Sequence, residues 1–185
     1  YTPPNTLARK PEIRLANDFP HERDLLQVLI RYAIHELRLK DEPTRTVWNY
    51  IIEEIQNDEL EFQHPVYKKI FDFALELYSK GMDFEEQYFT HHEDNDICKT
   101  TVDLTTENYE LSVIWRKNEV LAQTDDMRLA EIVPEVVIAF KNRKVLALIK
   151  ETQEEIIRAQ ENKDMEHLTL LQQKFIVLNE LKKNF

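Results

Sequence analysis

The last third of the chain decides the fold, and its residues 127–185 read MRLAEIVPEVVIAFKNRKVLALIKETQEEIIRAQENKDMEHLTLLQQKFIVLNELKKNF. This stretch contains no Gly and one Pro, and its apolar residues recur at the three- and four-residue spacing of an α-helix. The pattern is interrupted at residues 160–164, whose letters are QENKD. Because a polar interval between two helical patterns indicates a turn, we predict two long antiparallel helices, a helical hairpin.

The predicted hairpin has a heptad-like seam between its helices. The second helix supplies residues at 3,4,3,4 spacing, which are Leu168, Leu171, Phe175, Leu178 and Lys182. The first helix supplies Ile132, Val136, Ala139, Phe140, Leu146, Ile149, Ile156 and Ala159. Pro134 falls near the start of the first helix, where a first-turn proline costs little.

Further apolar residues of the hairpin fall outside this seam. They are Val145, Leu148, Ile157, Leu170, Ile176, Val177 and Leu181. A two-helix hairpin has one inner seam, so we expect some of these side chains to meet either the rest of the protein or a partner.

Residues 20–126 are predicted to form a helical bundle. Apolar periodicity predicts helices over residues 21–40, 46–57, 65–80, 84–91 and 95–104, and a weaker pattern covers 108–115. Pro43 is expected to end the first helix, Pro65 to begin the third, and Gly81 to follow its C-terminus. Residues 116–126 are polar and fit a loop, a hinge or the start of the first hairpin helix. Residues 1–19 hold three of the seven prolines and are expected to be a flexible linker.

The predicted fold class is therefore all-α, with a helical bundle subdomain (residues 20–126) followed by a C-terminal antiparallel helical hairpin (residues 127–185). One Gly in 185 residues is far below the usual share of about 7%, which argues against Gly-rich nucleotide-binding loops. The chain begins with Tyr1 rather than Met, so we expect a fragment of a larger protein.

Charge is unevenly distributed along the chain. Residues 127–185 carry ten Lys/Arg and nine Asp/Glu, whereas residues 1–126 carry fourteen and twenty-six, within a net charge of −11. An acidic body repels the phosphate backbone, so we expect no direct nucleic-acid binding.

Cys98 is the single cysteine, which excludes an internal disulfide and fits a reducing cytoplasm. No apolar run approaches the roughly 18 residues of a membrane span.

The sequence offers little evidence for catalytic groups. The HHEDND sequence at residues 91–96 is the cluster most similar to a metal site, but adjacent His91 and His92 would point about 100° apart on a helix. We interpret it as a polar loop. Two acidic groups, residues 53–54 and Asp83 with Glu85 and Glu86, are interpreted as solvated helix faces. Cys98 is interpreted as a packed thiol, and Trp48 and Trp115 as core anchors. We therefore predict no catalytic, cofactor or metal site.

Several segments resemble the C-terminal, helicase-binding domain of bacterial DNA primase of the DnaG type. They are FPHERDLLQVLI at residues 19–30, HPVYKKIF at 64–71, NYELSVIW at 108–115, EEIIR at 154–158, LQQKF at 171–175 and LNELKK at 178–183. The resemblance covers about residues 19–185 and depends on the order and spacing of these motifs.

The resemblance implies a helical bundle followed by a hairpin, and a domain that docks on the N-terminal domains of the hexameric replicative helicase of the DnaB type. It also implies that the hairpin is the main anchor, that the bundle modulates helicase activity during priming, and that this fragment makes no RNA itself. The parent protein would be a transferase of the primosome. The bundle is also similar to the N-terminal domain of the helicase, but there a linker and an ATPase domain would follow the bundle.

We expect the second hairpin helix to carry the partner-binding residues in a helix-in-groove contact. Apolar anchors would be Phe175, Leu178, Leu181 and Phe185. Lys174, Lys182 and Lys183 would form a basic rim that steers binding to an acidic helicase surface. Two rival classes are a metal hydrolase that uses His91 and His92, and a generic helical adaptor or transcriptional regulator.

Overall fold

A computed structural model describes residues 19–106 and 125–184 of the chain. The predicted linker up to residue 18, the pattern at 108–115, Trp115 and most of the polar segment at 116–126 lie outside the described residues. The described elements are α1 (Pro20–Tyr32), β1 (Glu36–Leu37), β2 (Arg45–Thr46), α2 (Val47–Asn57), α3 (Pro65–Ser79), α4 (Glu86–Thr90), α5 (Asn95–Thr106), α6 (Asp125–Glu161), α7 (Met165–Leu181) and a final 3₁₀ turn (Lys182–Asn184). The all-α prediction is confirmed, with one two-residue strand pair added.

Local capping explains where the helices begin. The Thr46 hydroxyl accepts the Asn49 N–H at 3.2 Å at the start of α2. Pro65 occupies the first position of α3, as predicted, and His64 precedes it as the capping residue. Gly81 follows the C-terminus of α3 with a φ of 66°, the left-handed conformation that a residue without a side chain adopts without strain.

The prediction for the first helix is wrong at its end. The helix ends at Tyr32, not at residue 40, and Glu36 and Leu37 instead form a strand. This strand pairs antiparallel with β2, Leu37 opposite Arg45. Leu37 is 1% exposed. It therefore reaches the hydrophobic core from the strand, and no longer helix is needed for this contact. Tertiary pairing has therefore overridden the local helical pattern.

The core of the bundle is built from α1, α2, α3 and the first half of α6. Leu25, Ile51, Ile70, Ile132 and Phe140 are each 0% exposed and belong to one continuous hydrophobic cluster. This cluster extends past the predicted boundary at residue 126, because α6 enters the bundle core before it reaches the hairpin.

The helix α6 is continuous over 37 residues, or roughly 55 Å at 1.5 Å per residue. Pro134 lies inside this helix rather than in its first turn, which corrects the sequence interpretation. A proline has no N–H, so the carbonyl of Ala130 lacks its usual helical donor. Val133 and Val137, on either side of Pro134, are 0% and 1% exposed, so core packing compensates for the lost hydrogen bond.

The second half of α6 packs antiparallel against α7, whereas Ile132, Val136 and Phe140, which the sequence placed in the same seam, lie in the bundle core instead. The chain turns at Asn162 and Lys163, and Asp164 caps α7 by accepting the His167 N–H at 3.1 Å. Two small clusters fill the seam, and they consist of Val145, Ile149, Phe175 and Leu178 near the bundle and Ile156, Ala159, Leu168 and Leu171 near the turn. Val145 takes the seam position predicted for Leu146, which is half-buried, and Lys182 lies exposed beyond α7.

No helix among residues 19–106 and 125–184 combines the length and apolar character that crossing a membrane requires.

Candidate docking surface on the helical hairpin

A buried ion pair holds the middle of α6 on the bundle. The side chains of Lys144 and Glu22 are 10% and 4% exposed, and the Lys144 ammonium donates a hydrogen bond to Glu22 Oε1. The Glu22 carboxylate also accepts the backbone N–H of Gln63 at 2.7 Å and that of His64 at 2.9 Å. Loss of either charge would leave the other buried and unpaired, so this contact fixes where α6 lies on α1.

A second cationic side chain reinforces the same junction one turn earlier. The Lys141 ammonium lies 2.7 Å from Glu54 Oε2 and 2.7 Å from Asp58 Oδ2. Burial by itself would lower the pKa of Lys141, but the hydrogen bonds to Asp58 and Glu54 outweigh it, and the pKa is raised. Glu54 therefore serves the junction between α2 and α6 rather than a solvated helix face.

Beyond this junction, the paired helices α6 and α7 expose large apolar side chains on their outside. The exposed residues in this part of the chain are Leu148, Ile157, Met165, Leu170, Ile176, Val177 and Leu181. A helix with apolar residues both in its seam and on its outer side can contact more than one neighbour. Most of the residues that the sequence placed outside the seam are thus exposed, with Val145 as the exception.

Four of the residues on α7 share one side of the helix, and we call them the α7 stripe: Leu170, Lys174, Val177 and Leu181. Their spacing is 4,3,4, which keeps them aligned along a helix and roughly 100° around it from the seam residues. Leu170 is 59% exposed and Val177 55% exposed. The stripe therefore has the spacing of a second helix-packing seam.

The α7 stripe faces the same side of the hairpin as Glu155 of α6. The Lys174 ammonium lies 3.9 Å from Glu155 Oε2, and both side chains are partly exposed. Ile157 comes two residues after Glu155, about 200° around α6, so it points to the other side of the hairpin. Ile176 lies about 100° from Val177 and is also off the stripe.

The predicted apolar anchors divide between the seam and the outer surface. Leu178 is 8% exposed and packs on Val145 and Ile149, so it belongs to the seam. Phe175 is half-buried against the same cluster. Leu181 is 42% exposed and lies on the α7 stripe. Phe185 lies outside the described residues.

The predicted basic rim lies near the same end of the hairpin. Lys182 and Lys183 are exposed in the 3₁₀ turn that follows α7. Lys174 lies two to three turns earlier, in the middle of the stripe. Of the seven predicted partner-binding residues, the structure therefore brings Lys174 and Leu181 together on one surface and leaves Lys182 and Lys183 at its end.

Two residues of this surface, Leu170 and Val177, are missing from the predicted partner-binding set. Their signal was present in the sequence, since both fall outside the seam that Leu171 and Leu178 occupy. What the sequence pattern alone did not supply was which of the residues outside the seam are exposed together on one side of the hairpin.

Charge distinguishes the hairpin from the bundle. Residues 19–106 hold nine Lys/Arg and nineteen Asp/Glu, a net charge of −10, whereas residues 127–185 carry a net charge of +1. An acidic partner surface would be repelled by the bundle and tolerated by the hairpin.

His91 and His92, at the end of α4, make local structural contacts. The His92 Nδ1 accepts the Asp94 N–H at 2.9 Å, and the ring packs edge-on against Phe73 at 4.5 Å between centroids. The His91 Nδ1 lies 3.1 Å from the Thr90 hydroxyl. Within residues 19–106 and 125–184, no group of three or more His, Cys, Asp or Glu side chains is arranged to hold a metal ion.

Two further sequence candidates also have structural contacts. The half-buried Cys98 thiol donates to the Thr90 carbonyl at 2.8 Å and so links α5 to α4. Glu53 bridges two elements, since it accepts from Arg45 at 2.6 Å and from the Tyr78 hydroxyl at 3.0 Å. Trp48 is 4% exposed, which confirms its prediction as a core anchor.

Comparison with known proteins identifies the family by sequence. No curated protein and no solved structure matches the chain significantly. A family match spans residues 11–185, which include both the bundle and the hairpin. The chain belongs to the family described as Domain of unknown function (DUF8430).

Proposed function

We propose that this chain is the helicase-binding domain of a bacterial DNA primase. In this proposal the hairpin docks on the N-terminal domains of the hexameric replicative helicase and brings primase to the replication fork in the cytoplasm. The bundle modulates helicase activity, and RNA synthesis belongs to other domains of the parent transferase. The domain itself uses no cofactor and does not bind nucleic acid directly.

The observation that carries the proposal is the α7 stripe. A two-helix layer that leaves Leu170, Val177 and Leu181 exposed in a 4,3,4 pattern with Lys174 offers a ready surface for another helix. Its apolar residues would supply the buried contact, and Lys174, Lys182 and Lys183 would supply a basic rim toward an acidic partner.

The sequence motifs and the architecture support the same proposal from a different direction. The primase-like motifs at residues 19–30 and 64–71 fall on α1 and α3, at the centre of the bundle. Those at 154–158 and 171–175 fall on the two hairpin helices, and the one at 178–183 spans the end of α7 and the 3₁₀ turn after it. The order bundle, then hairpin, is the one that the resemblance implies.

A calorimetric titration of the chain against the hexameric replicative helicase of the same organism tests the proposal, with the helicase ATPase rate followed in parallel. We expect saturable binding and a change in ATPase rate. The double variant Leu170→Ser/Val177→Ser should weaken binding by about 100-fold, because two central apolar contacts are lost.

A matched control is offered by the other side of the hairpin. Ile176 and Ile157 are 59% and 54% exposed, close to the values for Leu170 and Val177. The variant Ile176→Ser/Ile157→Ser should bind like the unmodified chain. Absence of binding at high micromolar concentration, with both proteins folded, would contradict the proposal and favour a generic helical adaptor. Equal loss in both double variants would contradict the role of the stripe.

A further inference from the structure

The bundle contains an open cavity with aromatic, apolar and polar residues in its wall, which we call the Trp48 cavity. Its volume is about 440 Å³, and its wall includes Ile34, Trp48, Tyr78, Met82, Asp83 and Phe84. It lies where the turn after α1 meets the segment between α3 and α4. This volume falls within the range of about 300–1,000 Å³ that is typical of ligand-binding clefts.

The aromatic side chains make the floor of this cavity rigid. The Trp48 ring is 4.9 Å from that of Phe84 and 6.3 Å from that of Tyr78, between centroids. The Tyr78 hydroxyl is held by its hydrogen bond to Glu53. A preformed floor of this kind loses little conformational entropy when an apolar group enters.

Unusually exposed apolar side chains stand at the mouth of the cavity. Ile34 is 70% exposed and Met82 is 39% exposed. Among residues 19–106, the one other large hydrophobic residue that is exposed to this degree is Val102, on α5. Two of the three exposed apolar side chains of this part of the chain therefore border a single cavity.

One acidic side chain, that of Asp83, lies in the wall of the cavity, and the bundle around it carries a net negative charge. Asp83 is followed by Glu85 and Glu86, and residues 81–98 contain six acidic residues but no Lys or Arg. Asp83 is exposed and forms no ion pair within the described part of the chain. Arg45, which precedes the cavity residue Thr46 in the chain, has its charge compensated by Glu42 and Glu53, each at 2.6 Å.

We propose that the Trp48 cavity is a docking site for a short protein segment that carries one apolar side chain flanked by Lys or Arg. The apolar side chain enters between Ile34, Met82 and Trp48, and a flanking cation pairs with Asp83. This site is separate from the α7 stripe, which lies on the hairpin and suits an acidic partner. It does not depend on the proposed role in priming.

The test uses the full chain and a synthetic heptapeptide, Lys-Arg-Lys-Leu-Lys-Arg-Lys, followed by NMR through the indole N–H signal of Trp48. The variant Trp115→Phe assigns which of the two indole signals belongs to Trp48, and the same spectrum reports whether the chain is folded. We expect a saturable shift of this signal that weakens as salt is added. The same peptide with Ser in place of Leu should bind at least about fivefold more weakly.

Matched variants distinguish binding of the peptide in the cavity from its general attraction to an acidic surface. Met82→Ser should weaken binding by at least about fivefold, whereas Val102→Ser, at an equally exposed position, should not. Asp83→Asn should reduce both affinity and salt dependence, and Asp103→Asn, on exposed α5 surface, should change neither.

Three results would overturn the proposal. The first is no saturable shift with the basic peptide, and the second is equal binding of the Leu and Ser peptides. The third is concentration-dependent self-association in sedimentation experiments that Met82→Ser abolishes, which would assign the cavity to a second copy of the chain.

Discussion

The two halves of α6 lie in different environments although they belong to one helix. In the first half, Ile132, Val133 and Phe140 are 0% exposed within a cluster of twenty-eight buried residues. The seam between the second half of α6 and α7 holds two small clusters with six buried apolar residues between them. Because burial of apolar surface is the main favourable term in folding, the bundle is the stable scaffold and the hairpin is a thin layer attached to it.

This difference explains how the hairpin can expose apolar surface and still have a defined position. Lys141 and Lys144 join α6 to the bundle by charged contacts at the point where its environment changes. Beyond that point the helix pair has few alternatives for burying Leu170, Val177 and Leu181, which are left available for a partner. Buried apolar contacts are therefore concentrated in the bundle, and exposed apolar surface is concentrated in the hairpin.

The largest expected loss of stability comes from truncating a core aromatic residue in the first half of α6. Phe140→Ala should destabilise the chain by about 3–5 kcal/mol, since it removes a fully buried ring and leaves a cavity. The free energy of unfolding in urea, followed by circular dichroism, measures it. Phe175→Ala, which truncates a half-buried ring in the hairpin, should cost about 1 kcal/mol. Equal losses would contradict the contrast between the two halves.

A smaller loss of stability is expected from breaking the Lys144–Glu22 ion pair, which joins α6 to the bundle. Lys144→Met should cost about 3 kcal/mol, because the Glu22 carboxylate loses its cation and keeps only two backbone donors. Adding Glu22→Gln should recover part of that loss, since the buried charge is then removed. Urea unfolding of the two variants measures this coupling.

The control for the junction is Lys150→Met, which changes an exposed lysine of α6 and should leave stability within about 0.5 kcal/mol. If Lys144→Met were no more destabilising than Lys150→Met, the buried ion pair would not hold α6 to the bundle.

A further loss of stability is expected to be confined to the hairpin. Leu171→Ala, at a position 5% exposed in the seam, should destabilise the helix pair by about 2 kcal/mol. Hydrogen exchange should accelerate in α7 and the second half of α6 and stay unchanged in α1 and α2. The adjacent Leu170→Ala, at a 59% exposed position, should alter neither. Accelerated exchange throughout α1 and α2 would mean that the hairpin and bundle unfold as one unit.

Much of this architecture could be predicted from the sequence because its signals are local. Three of these signals each act within a few residues. They are Pro65, the polar turn after Glu161 and the helical spacing of Leu168 and Leu171. These signals gave the starts of α2 and α3 and the hairpin turn to within about two residues.

The features that the sequence did not predict depend on contacts between distant residues. Residues 36–37 form a strand because they pair with Arg45 and Thr46, and no Gly or Pro interrupts the helical pattern before Pro43. The ion pair of Glu22 and Lys144 joins residues 122 positions apart, and each residue alone resembles a solvated charge. The Trp48 cavity likewise combines segments that no sequence pattern relates.

The most direct test of the central claim is hydrogen–deuterium exchange of the chain with and without the hexameric replicative helicase. We predict that the helicase slows exchange in Met165–Leu181 and in residues 145–161, and leaves the first half of α6 as slow as it is in the free chain. Slowing that is confined to the bundle, or an unchanged hairpin in a saturated complex, would contradict docking through the hairpin.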